Sequence, residues 1–227
     1  MERTNLRDSI LATLREKSVA KQNIHNITHT EFEQLKTVLD YLTNEYNSQL
    51  DDNWEVSLQI IDHGAYVIQL KVAGDMLVFV MHTNVFQFDR DHEVWKQPYV
   101  VENPMRSYSG VVSIYNFLSD SFRYNREEDP GYLIARIFIN QERAFFVEGK
   151  RQRRMGVNHF GMATIDATAW QKIVETAIRY AINFDLLVPP YEAVNIITLN
   201  QMKDEIMNSK IKTGKRLGFQ YNSDDVK

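Results

Sequence analysis

Cysteine is absent from this 227-residue chain, which excludes disulfides, thiolate nucleophiles and Cys-ligated zinc or iron–sulfur centres. Glycine is sparse and scattered, nine residues in all, too dispersed to build a glycine-rich phosphate cradle. No Gly-x-Gly-x-x-Gly, Walker loop, Gly-x-Ser-x-Gly elbow or His-Glu-x-x-His occurs, so dinucleotide-binding, kinase and hydrolase readings lose their usual support. No run approaches the roughly 20 apolar residues that cross a bilayer. The first residues, Met1-Glu2-Arg3-Thr4-Asn5-Leu6, lack the apolar core of a signal peptide. The expectation is a cytoplasmic protein with no membrane association. A net charge of −4 argues against general affinity for nucleic acid or anionic lipid.

What the chain does contain is ordinary for a soluble fold, 44% apolar and 25% charged residues, enough to close a core. The clearest signal lies in residues 54–82. Trp54, Val56, Leu58 and Ile60 alternate with polar residues. Turn chemistry at Asp62-His63-Gly64 precedes Tyr66, Ile68, Leu70 and Val72, and Gly74-Asp75 precedes an apolar run through Met81. Side chains alternate between the faces of a strand, so the pattern predicts a three-stranded antiparallel meander. A second hairpin is predicted from residues 132–139 and 143–148 about Asn140-Gln141-Glu142.

Helical periodicity brackets these strands. Leu6, Ile10, Leu11 and Leu14 form a narrow stripe in residues 3–18, a helix that must dock either on its own domain or on a partner subunit. Residues 19–29 read as a polar connector, in which His25 and His29 have metal-compatible spacing without a third ligand. Thr30 and Glu33 form a capping box that opens a helix carrying Phe32, Leu35, Leu39, Leu42 and Tyr46. Residues 108–124 suit either a strand or a helix, and the recurrence of Val111, Ile114, Tyr115, Leu118 and Phe122 favours helix. Asp166 or Thr168 caps a helix with a broad apolar face from Trp170 to Ile182.

The order predicts an α+β fold: one antiparallel sheet of about five strands, meander plus hairpin, covered by helices on one face. The organisation is an N-terminal helical arm and connector (1–29), an α+β domain (30–207) and a polar C-terminal tail (208–227). The element order is similar to that of type III secretion chaperones and YbjN-like proteins, which run helix, three strands, helix, two strands, helix. That resemblance implies small dimeric proteins that bind other proteins and catalyse nothing.

Candidate contact residues are the aromatics Trp95 and Tyr99 in an aperiodic loop, and the basic residues Arg151, Arg153 and Arg154 after the second hairpin. The acidic cluster around His92 has no EF-hand register. The spacing of Asp129, Glu148 and Lys150 resembles the PD-(D/E)xK nuclease motif, in which two carboxylates hold Mg²⁺ and the lysine assists the attacking water. Here the order is Asp129-Pro130 instead of Pro-Asp. The leading expectation is a non-enzymatic protein-binding or scaffolding protein that self-associates and needs no cofactor. A Mg²⁺-dependent nuclease, with nucleic acid as its partner, is the alternative.

Overall fold

The computed structural model describes residues 2–50, 56–149 and 159–186, with a few isolated positions beyond (155, 196, 198–200, 202–203 and 221–222). Its centre is an antiparallel sheet in which every strand neighbours the next long strand in sequence. The order is β1 (Gln59–Asp62), β2 (Val67–Val72), β3 (Asp75–Met81), β5 (Tyr108–Leu118), β6 (Tyr132–Ile139) and β7 (Phe145–Gly149). A two-residue strand, β4 (Phe86–Gln87), pairs with the start of β5. The α+β class and the single antiparallel sheet agree with the sequence pattern. The predicted meander appears as β1 to β3, although the first strand begins at Gln59 and residues 51–55 lie outside the described residues.

Two expectations need correction. Residues 108–124 are not a helix. They form the eleven-residue central strand β5, followed by a single helical turn, α4 (Ser119–Arg123). β5 lies between β3 and β6, and its start is buried on both faces, so the polar alternation that marks a half-wet strand is missing there. The layout therefore departs from that of the secretion chaperones where they place a middle helix. Secondly, Thr30 does not start a helix. Helix α2 runs unbroken from Val19 to Asn47, and the Thr30 hydroxyl donates to the Asn26 carbonyl one turn back. The supposed connector at 19–29 is helical and already packs through Ile24 and Thr28.

Helix α2 and helix α5 (Ala167–Ile182, capped by Asp166 accepting from the Ala169 N–H at 2.8 Å) cover one face of the sheet. Phe32, Leu35, Leu39 and Leu42 of α2 meet Trp170, Ile173, Val174 and Ala177 of α5 over Leu70, Phe79, Ile114 and Ile137. On the opposite face a smaller cluster forms where the irregular crossover between β3 and β5 folds back onto Phe138 and Phe146. No helix among the described residues is long and apolar enough to cross a membrane.

A buried charge ties the layers together. Glu31, on the core side of α2, accepts from Arg143 Nε at 2.8 Å. Arg143 occupies the turn between β6 and β7 with a left-handed φ of 60° and also donates to the Ile165 carbonyl at 3.0 Å. Burial pushes the Glu31 carboxyl above its ordinary value of 4.5, while Arg143 limits the rise. Elsewhere α2 meets the sheet backbone directly. A Cβ at Gly110 of β5 would fall inside the van der Waals envelope of the Thr28 side chain.

Two outcomes follow from this packing. Gly110→Ala forces α2 off β5 and lowers stability by about 2 kcal/mol, measured by urea denaturation, and adding Thr28→Gly restores part of the loss. The folded state holds the Glu31 proton more tightly than the unfolded chain, so this group's contribution to stability falls as pH rises above 4.5. Arg143→Met removes the main counter-charge. The difference in unfolding free energy between about pH 4 and about pH 7 then grows by on the order of 1 kcal/mol, a figure reduced because the guanidinium is half exposed. An unchanged pH slope contradicts the assignment.

Candidate functional site

The crossover, residues 82–107, is a chain of short capped turns. The His92 Nδ1 accepts from the Val94 N–H and caps a 3₁₀ turn, Glu93–Lys96. Pro98 opens a one-turn helix, α3 (Pro98–Glu102), and the Asn103 side chain caps a second 3₁₀ turn, Pro104–Ser107. Pro fits these first positions because it lacks an N–H that a helix start leaves unused.

Trp95 and Tyr99 hold this segment in place. The Trp95 indole N–H donates to the Asp89 carbonyl at 2.8 Å, and the Arg90 guanidinium lies 4.2 Å from the ring centre. The Tyr99 hydroxyl donates to Glu142 Oε2 at 2.7 Å and accepts from Asn140 Nδ2 at 3.1 Å. Arg106 sits 4.3 Å from the Tyr99 ring centre and donates to Glu142 Oε1 at 2.9 Å. Both rings are half-buried, and their polar atoms are committed within the chain. The Tyr99 hydroxyl is the main influence holding the Glu142 carboxyl below its ordinary value, with partial burial opposing it and Arg106 reinforcing it.

The residues of the nuclease-like spacing do not converge in the described structure. Asp129 accepts from the Ser121 hydroxyl at 2.7 Å and pairs with Arg126 at 3.5 Å, with both side chains of the pair nearly buried. Glu148 pairs instead with Arg136, its register partner on β6. β6 begins four residues before Arg136, about 13 Å along the strand, and Asp129 precedes that start. Lys150, Arg151, Arg153 and Arg154 lie outside the described residues. Among the described residues no group of three or more His, Asp or Glu side chains is placed to hold a metal ion.

The N-terminal arm is the element whose surface the fold leaves open. Helix α1 (Glu2–Thr13) continues through a π-helical turn (Leu14–Ser18) into α2 without a break. Lys17 and Lys21 lie 5.6 and 5.4 Å from the Tyr108 ring centre at the start of β5, which marks where the helix leaves the domain. The seventeen residues before Val19 extend about 25 Å further. Leu6 is 63% exposed, Ile10 50% and Leu14 52%.

Phase explains why the domain does not cover them. At about 100° per residue, an unbroken α-helix would set this stripe beside the core face of α2. The π turn accommodates one extra residue and rotates the arm by about a further 100°. Ile10, Leu14 and Val19 then lie roughly opposite Ile24. Among the described residues no element covers Leu6, Ile10 or Leu14.

The prediction from the crossover concerns pH. Because the folded Glu142 value is depressed, its stabilisation is present above 4.5 and is lost as pH falls through the lower folded value. Tyr99→Phe removes the main cause and loosens the crossover by about 1 kcal/mol at neutral pH. Hydrogen exchange at Val100 and Val101 speeds up, and the difference from wild type narrows in acid.

No protein-family model, curated protein or solved structure matches the chain.

Proposed function

We propose that this chain is a non-catalytic protein-binding module that self-associates through its N-terminal arm. The observation that carries the reading is the exposed stripe of Leu6, Ile10, Leu11, Leu14 and Val19 on a helix continuous with the core helix α2. A stripe of this kind has no folding role within its own domain, and contiguous exposed apolar surface marks contact sites.

The spacing favours a second copy as the occupant. Leu6 and Leu14 are each four residues from Ile10. An antiparallel pair centred on Ile10 sets Leu6 of one copy against Leu14 of the other, the self-complementary arrangement that a two-fold interface requires. Magnitudes set the strength. Eight partly exposed aliphatic side chains, Leu6, Ile10, Leu11 and Leu14 of each copy, recover roughly 1 kcal/mol each, about 8 kcal/mol in total. Association costs at least about 4 kcal/mol. The balance corresponds to a reversible dimer governed by concentration, not an obligate one.

Sedimentation velocity across a hundred-fold range of concentration tests the proposal. The wild-type protein shifts from monomer towards dimer. The variant Leu6→Glu/Leu14→Glu stays monomeric with unchanged thermal stability, since neither residue packs in the domain. A wild type that remains monomeric throughout, or a double variant that still dimerises, overturns the reading.

A further inference from the structure

The arm carries two unanswered cations beside its apolar stripe. In the sheet domain Arg106, Arg126, Arg136 and Arg143 each meet a carboxylate. Arg7 and Arg15 are exposed, and among the described residues neither guanidinium has an ion pair or hydrogen bond. The local pattern explains this. A helical arginine finds its carboxylate three or four residues away, and no Asp or Glu stands at either spacing from Arg7 or Arg15.

Both arginines stand on one flank of the stripe. At about 100° per residue, Arg7 lies about 60° round the helix from Ile10 and Arg15 about 140° in the same sense. Asp8, at about 160°, points away from anything laid along the stripe. Glu16 falls on the far side of the helix.

The antiparallel arm pair brings these flanks together. Centring on Ile10 sets Asn5 of one copy opposite Arg15 of the other, each five residues from Ile10. Arg7 is two residues further along, about 3 Å on the helix axis. The two-fold axis, normal to the plane of the helices, keeps the same flank of each arm on the same side of the pair. Each end of that side therefore holds Arg7 of one copy and Arg15 of the other, on axes about 9 Å apart. The two charges repel, and no carboxylate separates them.

Resting on that pairing, we infer that Arg7 of one copy and Arg15 of the other clamp a free tetrahedral dianion of the phosphate class. Neither copy completes the site alone. The dianion accepts charge-assisted hydrogen bonds from both guanidiniums and turns their repulsion into attraction. Because it binds only the dimer in this way, its concentration sets the strength of association. The two clamps of a dimer lie about 12 Å apart, with Leu11 of both copies between them.

Sedimentation velocity of the full-length protein, in chloride and in inorganic phosphate at matched pH and ionic strength, tests the clamp. Saturating phosphate lowers the dimer dissociation constant of the wild type roughly ten-fold or more. The variant Arg7→Gln/Arg15→Gln, altered only at exposed positions, dimerises in both solutions. In chloride it does so more tightly than the wild type, since the repulsion is gone, and phosphate no longer shifts it. A wild-type dimer indifferent to phosphate, or a phosphate response that survives in the variant, overturns the clamp and leaves the arm pairing standing. A wild type that stays monomeric in both solutions overturns the pairing and the clamp together.

Discussion

A carboxylate buried between two helices and a sheet has to be answered by a positive charge, and in this protein Arg143 answers Glu31. The guanidinium reaches α2 from the turn between β6 and β7, where Arg143 takes a left-handed backbone conformation. The same five-residue turn also holds the other side of the sheet. Asn140, fully buried, accepts from the Glu142 and Ala144 N–H groups and donates to Tyr99. Glu142 receives Tyr99 and Arg106 from the crossover. One hairpin turn thus pins the helix layer through Arg143 and the crossover through Asn140 and Glu142.

The two faces are built to different standards. Against α2 and α5 the sheet presents a continuous aliphatic and aromatic layer that excludes water. Against the crossover it presents Phe138 and Phe146 at one end, then Arg136 and Glu148, which stay about half exposed. The closed face supplies stability, since apolar burial there is extensive. The half-open face has polar groups whose orientation is set by backbone hydrogen bonds and neighbouring rings.

Much of this was legible in the residue pattern, and the failures share a physical cause. The meander could be read because β2 and β3 alternate around tight turns, and α5 because Trp170 to Ile182 keeps a wide apolar face. β5 was misread because a central strand buried on both sides loses its polar alternation, leaving apolar spacings that also fit a helix. The capping box at Thr30 and Glu33 was genuine as a pattern but powerless, since Ile24 and Thr28 had tertiary contacts that carried the helix past it. The burial of Glu31 had no local signal. Its partner is more than a hundred residues away, and a charged residue on a helix reads as solvent-facing. The setting of Trp95 and Tyr99 suggests contact with a partner, whereas the hydrogen bonds they make within the chain hold the crossover, a role with no signal in the local pattern.

The contact between Thr28 and Gly110 has a mechanical side. It is where α2 lies against the backbone of the sheet with no side chain in between, and the helix continues from there to Glu2 without interruption. Twenty-six residues of helix span roughly 39 Å. The contact is a fulcrum and the arm a lever. A small change of helix angle at Gly110 is multiplied at Leu6 into a displacement as large as a side chain. The missing methyl group on one central strand therefore bears on where the exposed apolar stripe of the arm points.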